Sequence, residues 1–304
     1  MDFKNAEELL ELCQKLNCPI SDVMKQRECA LAETSREELY AKMGHALAIM
    51  RESATAPIRE PKSSIGGLIG GEARLADRHR ASGASICGSV LSRAISYSMA
   101  VLETNTSMGL IVAAPTAGSS GIVPGLLLAL QEEYAISDAR VIDALFNSSA
   151  IGYLAMRNAT VAGAVGGCQA EAGVASAMAA SAAVELMGGT ADQCLNAASS
   201  VLMNLLGLVC DPIGGLVECP CQGRNAAGAA VALTAAELAL SGVRQLIPFD
   251  EMLMAMYRVG RQLPPDLRET ALGGCAATPS GKALGCGACP CHSSPGRRLG
   301  NNRP

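Results

Sequence analysis

Tryptophan is absent from this chain, and aromatic residues make up only 3% of its 304 positions. Apolar residues still reach 49%, so alanine, leucine and methionine, with glycine between them, supply the interior. Small side chains let helices approach closely, and the expected fold is all-α: a compact Ala/Gly-rich helical domain with glycine-rich loops. An excess of positive charge is also missing. The net charge of −4 gives no electrostatic reason to expect nucleic acid or an anionic membrane as a partner. Long apolar runs are lacking too. Stretches such as Ala172–Val184 and Ala226–Ala236 fall short of the ~18 residues a membrane span requires. No apolar run follows the Met-Asp-Phe-Lys start, so no signal peptide is expected and a cytoplasmic location is. Histidine occurs three times, at His45, His79 and His292, which leaves few candidates for an imidazole base.

Cysteine, by contrast, is plentiful. Thirteen cysteines in a chain too large to need covalent staples, without a secretory signal, point to reduced thiols rather than a disulfide framework. Three of them stand apart: Gly-Gly-Cys168-Gln, Val-Cys210-Asp-Pro and Cys219-Pro-Cys221-Gln-Gly. Each lies where helical patterning gives way to Gly or Pro. Such neighbours let backbone amides approach a sulfur, which an iron–sulfur cluster needs from its protein shell. Three ligands would leave one iron of a cubane open as a Lewis acid. For any one of the three, a buried packing thiol is the competing reading. Their spacing does not decide between the two, because no Cys-x₂-Cys run joins them.

Along the chain, the first fifty residues read as two amphipathic helices. Leu9, Leu12, Cys13 and Leu16 recur on one face and Pro19 ends that helix. Ser35 and Glu38 form a potential capping box for a second, with Leu39, Met43, Leu47 and Met50 on its face. Residues 53–71, ending Lys62-Ser-Ser-Ile-Gly66-Gly67-Leu-Ile-Gly70-Gly71, read as a loop, and a helical segment follows to Glu103. The loop Ala114-Pro115-Thr116-Ala117-Gly118-Ser119-Ser120-Gly121 opens onto the apolar run Ile122–Leu130. Its hydroxyls and free amides suit a carboxylate or phosphate. From Ser137 to Leu263, apolar helices alternate with glycine breaks. The expected division is residues 1–52 as a packing segment, 53–285 as the catalytic domain and 286–304 as an irregular tail.

Several of these strings match a known pattern. Gly166-Gly167-Cys168-Gln169-Ala170-Glu171, Leu208-Val209-Cys210-Asp211-Pro212, Glu218-Cys219-Pro220-Cys221 and Arg224-Asn225-Ala226 resemble the iron–sulfur-dependent L-serine dehydratases, specifically the separate alpha chain of the two-chain form. Pro115-Thr116-Ala117-Gly118-Ser119, Ala277-Thr278-Pro279-Ser280-Gly281-Lys282 and Ile20-Ser21-Asp22-Val23-Met24 carry the same likeness. The resemblance implies a 4Fe-4S cluster on Cys168, Cys210 and Cys221, and conversion of L-serine to pyruvate and ammonia. It also implies a beta chain whose Ser-Ser-Ser-His-Thr segment reaches the active site. Thr116, Ser119, Ser120 and Gly121 are then the candidates for the substrate carboxylate. Asn158 and Arg224 are candidates for contact with substrate or with the backbone that supports the cluster.

Competing readings attach to other residues. Cys219 and Cys275 replace residues the family usually has as aliphatic, and are expected to pack. Cys286, Cys289, Cys291 and His292 are too crowded to wrap one zinc ion tetrahedrally. A C-terminal cysteine covers the fourth iron in some single-chain relatives, which leaves that role open to one of these three. Lys62 beside its glycine run suggests a pyridoxal-phosphate dehydratase as the alternative enzyme. The non-enzyme alternative is a helical scaffold subunit with buried thiols.

Overall fold

A computed structural model describes residues 2–288, with side chains through residue 285. The calls on Cys286, Cys289, Cys291 and His292 lie outside the described side chains. Fourteen α-helices and no strand are found among the described residues. They are α1 (Ala6–Leu16), α2 (Ile20–Ala32), α3 (Arg36–Arg59), α4 (Glu72–Ala81), α5 (Gly88–Thr106), α6 (Ile122–Glu133) and α7 (Asp138–Asn158). The second half holds α8 (Gly163–Gly166), α9 (Val174–Leu186), α10 (Ala191–Asn204), α11 (Cys221–Leu240), α12 (Phe249–Gln262), α13 (Gly274–Ala277) and α14 (Pro279–Ala288). No helix among them is long and apolar enough to cross a membrane.

The core is built around α9, which is buried at every position except Glu185. A helix that is apolar all round has no outward face, so it must be surrounded. α7, α10, α6 and α11 enclose it, and α5 packs in turn on α6, α11, α3 and α4. Small residues set the spacing. A Cβ on Gly125 of α6 would fall 2.9 Å from the Ser98 backbone nitrogen of α5, so only glycine lets these helices touch there.

The amino-terminal part differs from the periodicity reading in two respects. Three helices form where two were expected, because α2 starts directly after Pro19. Its buried face includes Lys25 and Arg27, which break the apolar pattern that would have announced it. Lys25 is paired with Asp22 and Asp143, both at 2.7 Å. The second difference is that α3 continues to Arg59, through residue 52 and Pro57, where a loop was expected from residue 53. Proline leaves the carbonyl four residues back without its helical donor. That carbonyl, on Ser53, accepts instead from Thr104 Oγ1 of α5 at 2.8 Å, which lets the helix run on. At the head of α3 the Ser35 hydroxyl accepts from the Glu38 amide as expected. The Glu38 side chain accepts from Thr34.

Candidate active site

Cys168, Cys210 and Cys221 come from three separate segments. Cys168 follows α8 and Gly167, which sits at φ +75°. A side chain at Gly167 would meet the Leu208 carbonyl at 2.8 Å, so this close turn demands glycine. Directly after Cys168 the chain makes a π-helical turn, Gln169–Gly173, before α9 begins. Such turns arise where a helix is locally re-aimed. Gln169 fixes it by donating to the Gly166 carbonyl at 2.9 Å and the Met256 carbonyl at 3.0 Å, and by accepting from the Gly207 amide at 2.8 Å. Cys210 is held by its backbone, donating to the Leu267 carbonyl at 2.9 Å and accepting from the Glu269 amide at 2.7 Å. Cys221 is the first residue of α11.

The three thiols feel one another. Burial raises the Cys168 thiol first, and burial followed by the Cys168 charge pushes Cys221 up to about 12. Cys210 is raised by burial and then by Cys168, with Cys221 also contributing. Opposing this, Arg224 lies against Cys168 and favours its thiolate. Arg224 pairs with Asp211 at 2.7 Å and donates to the Val209 carbonyl at 2.9 Å. Burial works against the Asp211 charge, but the Cys275 amide and Arg224 outweigh it and hold that carboxyl below the usual range.

The Thr116 loop joins this group through Asn225. Its amide donates to the Gly118 carbonyl at 2.8 Å and the Cys221 carbonyl at 2.9 Å, while its oxygen accepts from the Gly121 amide at 2.9 Å. The Gly121 amide, expected to be free for a ligand, is therefore occupied. Ser120 is buried and donates to the Ala117 carbonyl at 2.7 Å. Thr116 Oγ1 lies 3.0 Å from Ser119 Oγ and donates to Glu171 at 2.6 Å. Asn158 ends α7 and donates to the Lys4 carbonyl at 2.7 Å. None of its described hydrogen bonds brings it to the thiols.

Three residues of the site went unassigned in the sequence reading. Glu171 stands beside both Thr116 and Cys210, and burial raises its carboxyl, with the Glu269 charge adding to the effect. Its signal was present: it is the only charged residue between Arg157 and Glu185. Glu218 organises the glycine-rich loop. It accepts from Ser64 Oγ at 2.6 Å, the Gly66 amide at 2.7 Å and the Leu68 amide at 3.0 Å. The amides that could have cradled a phosphate thus hold an internal carboxylate, and Lys62 is exposed. Asn225, already noted, is the third.

The donor set suits a sulfur-ligated metal group: soft thiols, buried or half-buried, mutually coupled and backed by a guanidinium. No group of three or more His, Cys, Asp or Glu among the described residues is set around a single metal ion.

The family profile "Serine dehydratase alpha chain" matches residues 15–276. The chain is 45% identical over 282 residues to the "Probable L-serine dehydratase, alpha chain" of Bacillus subtilis, covering 93% of this chain and 94% of that one. It is 43% identical to the "L-serine dehydratase, alpha chain" of Peptoniphilus asaccharolyticus, covering 93% and 97%. Against the "L-serine dehydratase" of Helicobacter pylori it is 37% identical, and the match spans 91% of this chain but only 62% of that protein.

Proposed function

The chain belongs to the serine dehydratase alpha-chain family, and from that premise we propose that it converts L-serine to pyruvate and ammonia with a 4Fe-4S cluster on Cys168, Cys210 and Cys221. The observation that carries the proposal is the meeting of these three thiols with Arg224 and the Thr116–Glu171 pair at one place. When bound, such a cluster supplies a Lewis-acidic iron for the poor hydroxide leaving group. The chain's own residues perform the rest. Arg224 offsets the negative charge of the thiolates, Asp211 holds Arg224 in place, and Asn225 ties the Thr116 loop to the start of α11. Gly167 and Gln169 fix the turn that aims Cys168.

A beta chain completes the enzyme in this reading. The Helicobacter pylori protein carries further length beyond the matched region. His45 and His79, on α3 and α4, are both exposed, and neither is among the groups that shift the three thiols. A partner-supplied base is therefore proposed for the α-proton, its absence costing roughly 10²–10⁴-fold in rate. The expected setting is the cytoplasm, where thiols stay reduced.

Anaerobic purification followed by iron and acid-labile sulfide analysis tests the cofactor. The expected result is a brown protein with equal iron and sulfide, four of each per chain. A colourless protein without sulfide would refute the proposal in favour of a scaffold with buried thiols. Titration with purified beta chain should raise pyruvate formation steeply, and full turnover by this chain alone would overturn the partner assignment.

A further inference from the structure

Three polar atoms converge on one point beside the thiols. A Cβ placed on Gly163 would lie 3.0 Å from Glu171 Oε2, 3.1 Å from Cys210 Sγ and 3.3 Å from Glu269 Oε2. Glycine at this position keeps open a small space bounded by two carboxylates and a sulfur. The Cys210 thiol is only 4% exposed and makes no hydrogen bond among the described residues. Glu269 is set there by a costly backbone: its φ is +65°, unusual for a non-glycine residue. Its amide is tied to the Cys210 carbonyl at 2.7 Å. The other oxygen of Glu171 accepts the Thr116 hydroxyl at 2.6 Å. A hydroxyl has one proton to give, so Ser119 must donate to Thr116, and the relay Ser119, Thr116, Glu171 ends in a carboxylate. The Gly121 amide is taken by Asn225, and Arg224 by Asp211 and the Val209 carbonyl. What this corner offers is negative charge and lone pairs.

L-Serine presents a carboxylate, a hydroxyl and an ammonium group. Its oxygens match a Lewis acid, and its nitrogen, a cation with three donors, matches an anionic lining. We propose that Glu171, assisted by Glu269, binds the α-ammonium group of the substrate. Thr116 and Ser119 then serve to orient Glu171 and do not receive the substrate carboxylate. The assignment rests on the serine dehydratase reading of the site. It makes Glu171 the residue that selects an α-amino acid over the corresponding hydroxy acid.

The test uses the cluster-loaded alpha–beta enzyme and two ligands: L-serine, and 3-hydroxypropionate, which keeps the carboxylate and hydroxyl but lacks the ammonium. Dissociation constants are measured by anaerobic calorimetry, alongside kcat and KM for L-serine. Losing a charge-assisted hydrogen bond should weaken L-serine binding to Glu171→Gln by about 10- to 100-fold, with 3-hydroxypropionate changed by no more than about twofold. Glu269→Gln should show the same selectivity with a smaller loss. Equal weakening of both ligands, or of neither, would overturn the proposal. So would a fall in kcat with serine affinity intact, which would mark Glu171 as a proton-transfer group. If Glu171→Gln cannot retain iron, Glu269→Gln decides, since its carboxylate is exposed: unchanged serine affinity there refutes the pair. A native enzyme that carries no cluster and does not bind serine would instead bring down the functional reading, and the inference with it.

Discussion

The described residues contain two groups of buried or half-buried thiols, each beside a half-buried glutamate. One is the proposed cluster site, with Cys168, Cys210 and Cys221 near Glu171. The other joins α1, the start of α2, α9 and α10, with Cys13, Cys18 and Cys194 near Glu185. Burial raises the thiols in both, taking Cys13 up to about 12. The difference lies in what surrounds them. Cys13 and Cys194 sit inside regular helices, and Asn147 serves both partners there, donating to Glu185 at 2.6 Å and to Cys194 at 3.7 Å. The site's cysteines sit at a loop end, a backbone bridge and a helix start, with Arg224 against one of them. A helix interior commits its backbone amides to itself, whereas loop and terminus leave them available to a sulfur. Clustering alone does not make a thiol site; Cys13 and Cys194 differ from the other group in backbone setting, while Cys18, between α1 and α2 with Lys25 nearby, is the member that most resembles it.

Serine substitution puts the sharpest strain on that contrast. Cys168→Ser, Cys210→Ser and Cys221→Ser should each lose iron, sulfide and turnover. Cys13→Ser and Cys194→Ser should keep all three and melt earlier, since a hydroxyl in a dry helix contact costs about 1–3 kcal/mol. Cys219→Ser should also retain iron. Iron and sulfide content with melting curves on anaerobic protein would show it. Loss of iron from Cys194→Ser on the scale of Cys210→Ser would break the comparison.

A gentler perturbation is Gly163→Ala. The added methyl would meet Glu171, Cys210 and Glu269 at 3.0–3.3 Å, tight enough that the neighbours must yield slightly. Its backbone conformation is ordinary, so folding and iron content should be preserved. Serine KM should rise by about tenfold, the change expected if the intruding methyl removes about 1.4 kcal/mol of substrate binding. Unchanged KM with normal iron would mean that the space over Gly163 is not where substrate sits.

Much of this was visible before any coordinates. The helical class could be read because Gly and Pro mark breaks in an otherwise apolar helical pattern, and the same breaks drew attention to the three cysteines and the Thr116 loop. What escaped reading depended on pairing across distance. Glu218 closes the glycine-rich loop from about 150 positions away, and nothing in the loop's own residues announces that partner. α2 was hidden because its buried face carries Lys25 and Arg27, whose charges are paired both within the helix, to Asp22 and Glu28, and beyond it, to Asp143 and Asp2. The loop expected from residue 53 is helix as far as Arg59 because the hydroxyl that serves the carbonyl freed by Pro57 belongs to Thr104 of α5.

The smallest expected effect concerns charge. In the site Asp211 is held below its ordinary range, so its contribution to stability is present above about pH 4 and lost as pH falls. Glu185 behaves in the opposite sense. Burial raises its carboxyl above the ordinary 4.5, and hydrogen bonds from Ser21 and Asn147 oppose this only in part. A raised carboxyl favours the protonated folded form, so its contribution is present at low pH and lost as pH rises through the raised value. Glu185→Gln keeps an oxygen for the Ser21 and Asn147 donors and removes the charge. The variant should match the native protein near pH 4 and melt above it near pH 8. The native slope should shrink without vanishing, because Glu103 and Glu171 are raised by burial as well. Melting temperatures across that range, on cluster-free protein so that iron loss does not intrude, would check the difference. A uniform drop at both ends would mean that the Glu185 charge is needed as a counter-ion for Lys25, and that both thiol groups, not only the site, are built around paired charge.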